Sequence, residues 1–370
     1  MNKKYLEKIK EKLLKKDIDA IFVAPSEGLK LLLGYSPLSI SRFQGLIIKN
    51  DGEIFYICNL LNKDEIREKI SKKIRVYSWN DGEDYSLVTK EIFEENGLLG
   101  KKILVNSTTL AKHIIEISEK INIKFVSEEK FLNDLRIIKT GEELEKLKIS
   151  SQITDESFKE ILKYIKPGLT ELAVKNKLKE IITEKGGVSR NPLVCFGKNT
   201  AFPHYSETNG VLLTKDIVLM DFGCIYKGYH SDMTRTIFIG GITQEEKEIY
   251  EIVLKANLKG IEKAKENVKI KEIDNCSREY ITSKGYGKYF TTRLGHGLGL
   301  SVHEEPEISS KNNRELEKGM VFTVEPGIYI SEEGIGIRIE DDVLVTEDGC
   351  EVLTKGMMKE VSEIEAFMKR

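Results

Sequence analysis

Four carboxylates and one imidazole in the second half of this 370-residue chain could act together: Asp221, Asp232, His296, Glu325 and Glu340. Most sit at the edge of an apolar run. Asp221 closes Ile217-Val218-Leu219-Met220, and Glu325 closes Met320-Val321-Phe322-Thr323-Val324 just before Pro326-Gly327. Glu340 follows Ile335-Gly336-Ile337-Arg338-Ile339, and His296 lies in the glycine-rich Leu294-Gly295-His296-Gly297-Leu298-Gly299-Leu300. Four carboxylates gathered without a cation repel one another. Two unit charges about 4 Å apart interact by roughly 4 kcal/mol at an effective dielectric near 20, so such a cluster protonates or opens. Two divalent ions balance it, four positives against four negatives. One imidazole among carboxylates is a hard, oxygen-rich donor set that suits manganese, iron or cobalt better than a thiolate-type structural zinc site. The residues read as a two-metal site.

The elements that must position them are strands. The run through Phe222 reads as a buried strand, Lys227-Gly228 as a tight turn, and Ile237-Phe238-Ile239 as part of the returning strand. A two-residue turn there sets Asp221 opposite Thr234 and diagonal to Asp232, on one face because strand side chains alternate. In the run from Ile335 the isoleucines take one face, and Arg338, Glu340 and Asp342 the other.

The five residues in this order, and the strings MDFGCIYKGYHSDMTRT, GHGLGLSVHEEP, VFTVEPGIYI and GIRIEDDVLVTEDG around them, resemble the Xaa-Pro peptidase branch (prolidases and aminopeptidases P) of the pita-bread metallopeptidases. The likeness is strong from about residue 135 onward and looser before it. It implies a catalytic α+β domain with the pita-bread (creatinase/aminopeptidase) fold at 133–370, and a smaller creatinase-like α/β domain at 1–132 that helps wall the site and form a homodimer. The implied activity is a dinuclear-metal exopeptidase, a dipeptidase or an aminopeptidase, cleaving between an N-terminal residue and a following proline. Asp232 and Glu340 take the place of bridging ligands, Asp221 chelates one ion, and His296 and Glu325 hold the other. The implied cofactors are two divalent ions, manganese first, with cobalt, zinc or iron as other occupants. A hydroxide between the ions is the implied nucleophile, and Glu325 the implied general base and acid. His303, in Ser301-Val302-His303-Glu304, matches a substrate-binding histidine that stabilises the developing oxyanion, and His204, in Phe202-Pro203-His204-Tyr205, matches a second one lining the pocket. Arg338, on the predicted face of Glu340, either steadies a ligand carboxylate or binds the carboxylate of the substrate. The family often carries a further pocket histidine four residues before the ligand histidine. Thr292 stands there, and its hydroxyl can donate a hydrogen bond but cannot carry charge. The competing readings are a pita-bread binding protein without metals, and a peptidase of other specificity such as a methionine aminopeptidase. All five ligand types in place speak against the first. The SVHEEP and SDMTRT strings and the long N-terminal region speak against the second.

Composition narrows the rest. The 58 basic and 60 acidic residues give a net charge of −2, so no basic excess favours nucleic acid or an anionic membrane. The five cysteines, Cys58, Cys195, Cys224, Cys276 and Cys350, are widely spaced, odd in number and form no CxxC pair, so they suggest neither a thiolate zinc site nor a disulfide framework. Met1-Asn2-Lys3-Lys4-Tyr5-Leu6-Glu7 lacks the apolar stretch of a signal peptide, and no run approaches the length of a membrane span. A reducing cytoplasm is the expected compartment.

Along the chain, residues up to about 132 alternate helix-like and strand-like segments, with Asn50-Asp51-Gly52 marking a hairpin. His113 stands alone there and reads as a packing or surface residue, and His230 reads as incidental. Thr140 with Glu143, and Thr243 with Glu246, fit capping boxes that open long helices. Helix pair, strands, helix pair, strands is the expected order of the second domain, a structural duplication in outline.

Overall fold

The computed structural model describes residues 3–38, 41–128, 130–356 and 358–369, so Met1-Asn2 of the leader reading lie outside the described residues. The chain divides into two compact units, Met1–Leu135 and Arg136–Arg370.

The first unit is built on strands β1 (Ala20–Val23), β2 (Gly45–Lys49), β3 (Ile54–Asn59), β4 (Arg75–Trp79), β5 (Lys102–Val105) and β6 (Lys124–Ser127), in the order β4-β3-β2-β1-β5-β6. The β2–β3 hairpin spans the predicted Asn50-Asp51-Gly52 turn, where Gly52 has a φ of 95°. β1 also pairs antiparallel with β2, while β1–β5, β3–β4 and β5–β6 run parallel through crossovers. β1 is apolar at every position because both of its faces are covered. Ile21 and Val23 pack into one core with Leu46 and Ile48, while Ala20 and Phe22 pack into another with Ile47 and Phe55. His113 is buried against Tyr85 and Phe43, which makes it a packing residue.

The second unit opens with two helices, α1 (Gly141–Tyr164) and α2 (Glu171–Glu184). Thr140 and Glu143 form the predicted capping box, the glutamate accepting from the Thr140 N–H at 2.7 Å. Strands β7 (Val188–Ser189), β8 (Leu193–Phe196), β9 (Asp216–Phe222), β10 (Cys224–Tyr226), β11 (Tyr229–His230) and β12 (Met233–Ile239) follow. Lys227 and Gly228 both have positive φ, 48° and 86°, as the two-residue hairpin turn requires. The same register holds on both sides of Gly223, from Tyr226 against Tyr229 to Asp221 against Thr234, as expected. One detail differs from a single straight ribbon, which splits at Gly223. A Cβ there would lie 1.9 Å from the carbonyl oxygen of Ser231, so only glycine lets the strands close at the bend. Val218, Met220 and Phe222 pack with Phe158, Ile161, Val174 and Leu178 of the helices. Alternation therefore turns Asp221 to the opposite face.

The second half repeats this plan. Helices α3 (Gln244–Lys263) and α4 (Ile270–Ser283) precede β13 (Gly295–Gly297), β14 (Glu304–Ile308), β15 (Val321–Val324), β16 (Gly327–Ile330), β17 (Ile335–Arg338), β18 (Asp341–Val345) and β19 (Cys350–Val352), and helix α5 (Val361–Met368) ends the chain. The Thr243–Glu246 capping box opens α3. Ile249, Val253, Ile273 and Ile281 of the helix pair cover Phe322, Val324, Ile337 and Val343. The expected continuous strand from Ile335 to Asp342 is instead two strands, β17 and β18, with partners β16 and β15 respectively. Ile339 and Glu340 form the joint. At that joint the halves meet: the Glu340 N–H donates to Thr234 O at 3.1 Å, and Thr236 exchanges hydrogen bonds with the Arg338 backbone. Two layers of antiparallel strands backed by helix pairs thus present their inner faces to one place.

Candidate metal centre

That place is a cavity of about 400 Å³ whose lining includes all five predicted ligands, together with His204, His303, Thr292 and Arg338. Each strand exit delivers its group for a local reason. Asp221 comes from the inner face of β9, and Asp232 from the residue before β12. His296 sits at the centre of β13, Glu325 just past β15 where Pro326 ends pairing, and Glu340 at the joint between β17 and β18. Ligand atoms of Asp232, His296 and Glu340 all lie within 4.8 Å of one another. Glu325 joins them through His296, its Oε1 3.1 Å from Nε2. Asp221 is tied in by two arginines and stands outside that tightest group.

The electrostatics are those of a cluster short of positive charge. Burial raises the pKa of Asp232 and of Glu340 well above the carboxylate range, and the other acids of the cluster push in the same direction. Burial acts likewise on Asp221, but Arg190 and Arg338 outweigh it and hold that carboxyl below its ordinary value. Burial also opposes the lowered pKa of Glu325 and the raised one of His296, each of which the other's charge produces. Two buried carboxylates that resist ionisation, with an imidazole nitrogen close by, fit a divalent cation: it would restore their charge and accept their oxygens as hard donors.

Hydrogen bonds fix the ligands from behind. Thr234 Oγ1 donates to Glu340 Oε2 at 2.6 Å, and Thr323 Oγ1 donates to Glu325 Oε1 at 2.9 Å while accepting from the His296 N–H at 3.1 Å. The buried Asp342 accepts from the Asp232 N–H at 3.0 Å. Arg338 spends its guanidinium on the scaffold, donating to Thr234 Oγ1 at 2.9 Å, the Tyr329 hydroxyl at 2.6 Å and Asp221 Oδ2 at 2.7 Å. Between the two sequence readings of Arg338, this geometry favours steadying a ligand. His303 stacks edge-on to His296 with ring centroids 4.3 Å apart. Burial of its ring lowers its pKa, and the charges of His296, Arg293 and Arg190 lower it further, so it is neutral at neutral pH. His204 is exposed on the cavity wall just past the short helical turn Gly197–Ala201.

Sequence reasoning missed Arg190. It follows β7, in a stretch with no motif, and its Nη2 donates to Asp221 Oδ1 at 2.7 Å and to Asp232 Oδ1. The need for a cation between those acids was visible in the sequence, but with 58 lysines and arginines nothing marked this one.

The model of metallopeptidase family M24 matches residues 145–347, and that of the creatinase/prolidase N-terminal domain matches residues 6–138. An uncharacterized peptidase of Staphylococcus epidermidis is 36% identical over 355 residues, covering 95% of this chain and 98% of its own. The Xaa-Pro dipeptidase from Bacillus anthracis is 33% identical with a TM-score of 0.84, over 95% of this chain and 96% of the other. The X-Pro aminopeptidase from Thermotoga maritima is 31% identical with a TM-score of 0.79, over 94% and 97%. Among the described residues no helix is long and apolar enough to cross a membrane.

Proposed function

This chain belongs to metallopeptidase family M24, and on that premise we propose that it is a dinuclear-metal exopeptidase that cleaves between an N-terminal residue and a following proline. One observation carries the reading: Asp221, Asp232, His296, Glu325 and Glu340 converge on one cavity whose wall also holds His204 and His303. The structural likeness to both an Xaa-Pro dipeptidase and an X-Pro aminopeptidase supports the choice of substrate.

In this reading the five residues hold two divalent ions, with manganese as the first occupant. When bound, the ions supply Lewis acidity, lowering the pKa of water and polarising a carbonyl. The protein's own groups do the rest. Glu325, with one oxygen held by Thr323 and His296, takes a proton from the attacking water and returns it to the departing amine. His303, kept neutral beside His296, donates to the oxygen on which charge develops, and His204, which also lines the cavity, contacts the substrate. Arg338 locks Asp221 in its ligand orientation. The reading extends to a homodimer working in a reducing cytoplasm, which five free thiols suit.

Proline makes the scissile bond a tertiary amide with no N–H and fixes φ near −65°, so a pocket shaped to its ring selects it over alanine. Met-Pro substrates are therefore expected to give kcat/KM clearly above that of their Met-Ala counterparts, measured with defined metal. Equal values for the two would refute the proline assignment while leaving a peptidase of another specificity in place.

A further inference from the structure

Arg190 stands where its charge conflicts with the centre just described. Its backbone N–H is anchored to the carbonyl of Gly223 at 3.2 Å, at the bend of the ribbon that carries Asp221. From there the side chain reaches the cavity, and a single nitrogen, Nη2, serves Asp221 and Asp232 together. Those are two of the proposed ligands. The arginine's Nε is buried without a hydrogen-bond partner, so the guanidinium is held at its tip and not along its length.

The other two arginines of the cavity differ. Arg338 is bound to Thr234, Tyr329 and Asp221 and is buried in the wall. Arg293 is exposed. Among the arginines lining the cavity, Arg190 is the one whose guanidinium bridges Asp221 and Asp232 of the cluster. An arginine cannot relieve a conflict by losing its proton. A guanidinium and a dication about 4 Å apart repel by roughly 8 kcal/mol at an effective dielectric near 20, so both cannot occupy the same carboxylate oxygens.

We propose that Arg190 competes with divalent ions for Asp221 and Asp232, so that metal binding must displace its guanidinium from them and its charge weakens metal affinity. The proposal rests on the metal-centre reading above. By linkage, whatever the side chain contributes to the metal-free form is subtracted from metal affinity. A purely structural arginine behind the site would have the opposite signature, because its loss would loosen the ligands and weaken binding.

The test uses the full chain stripped with chelator, titrated calorimetrically with Mn²⁺, and melted with and without the ion, for wild type, Arg190→Gln and Arg190→Lys. Arg190→Gln is expected to bind Mn²⁺ about tenfold or more tightly than wild type, within the usual range of coupling between sites. Its melting temperature should fall in the stripped form and hold or rise in the loaded form. Arg190→Lys, which keeps the charge, should lie between the two and serves for the titration if stripped Arg190→Gln does not stay folded. Unchanged or weaker binding in both variants, with wild type binding normally, overturns the role of Arg190 alone. Wild type that binds no divalent ion overturns this role and the metal centre together.

Discussion

His296 and His303 touch, yet the geometry gives them different work. His296 is buried, paired with Glu325 and clustered with the ligand atoms of Asp232 and Glu340, whereas His303 lies outside that group and packs perpendicular to the His296 ring. His296→Ala should lose bound metal along with rate. His303→Ala should keep its metal and lose roughly 2.7–4 kcal/mol of transition-state stabilisation, on the order of 10²–10³ in kcat, the scale of a lost oxyanion donor. Elemental analysis beside kcat separates the two, and equal metal loss in both variants would contradict the division of labour. The five candidate ligands were legible as a set because Asp221, Glu325 and Glu340 each follow an apolar run and the strings around all five are specific. Arg190 was not, since a lone arginine after a two-residue strand leaves no pattern. The full engagement of Arg338 was half legible: its face could be read, its partners Tyr329 and Thr234 could not.

At the scale of elements, the joint between β17 and β18 is held by a buried ionic network. Arg235, fully buried on β12, donates to Asp341 Oδ1 at 2.7 Å and to the carbonyls of Glu340, Thr234 and Met358, while Lys359 Nζ lies 2.5 Å from Asp341 Oδ2. Burial alone would raise the pKa of Asp341, but Arg235 and Lys359 outweigh it and bring the value down to about 2 from 3.8. A folded-state pKa below the unfolded one means stability that is complete above 3.8 and is lost as pH falls toward about 2, worth about 2 kcal/mol by linkage. Asp341→Asn leaves the buried Arg235 and the half-buried Lys359 short of a partner and should cost about 3–5 kcal/mol near neutral pH. Denaturant unfolding at pH 7 and across pH 4 to 2 checks both parts: the variant should be less stable at neutrality and lose less on acidification. A variant as stable as wild type at pH 7 would show the network to be dispensable. The sequence announced the capping boxes and the Lys227-Gly228 register because those signals are local. It concealed the break at Ile339-Glu340, since an alternating apolar run looks the same whether its two halves pair with one partner or two.

At the scale of the molecule, helix pairs and strands in two successive blocks bring acids from distant stretches of chain to one cavity, a gathering that folding stability alone would oppose. Burial disfavours the charged forms of Asp232 and Glu340, and the protein meets that cost with threonines, arginines and, as proposed, metal. The alternation of helices and strands before residue 135 was readable from hydrophobic period. The convergence of the second unit was readable only through the resemblance of its strings, because no spacing in sequence states which strand exits meet. The central claim is metal-dependent peptide hydrolysis at this cavity, and the most direct measurement follows turnover of an Xaa-Pro dipeptide against metal content in one preparation. Activity should vanish on exhaustive chelation, return with Mn²⁺ or Co²⁺ in proportion to metal bound, and level off near two ions per chain. Undiminished turnover in protein shown by elemental analysis to be free of metal would contradict it.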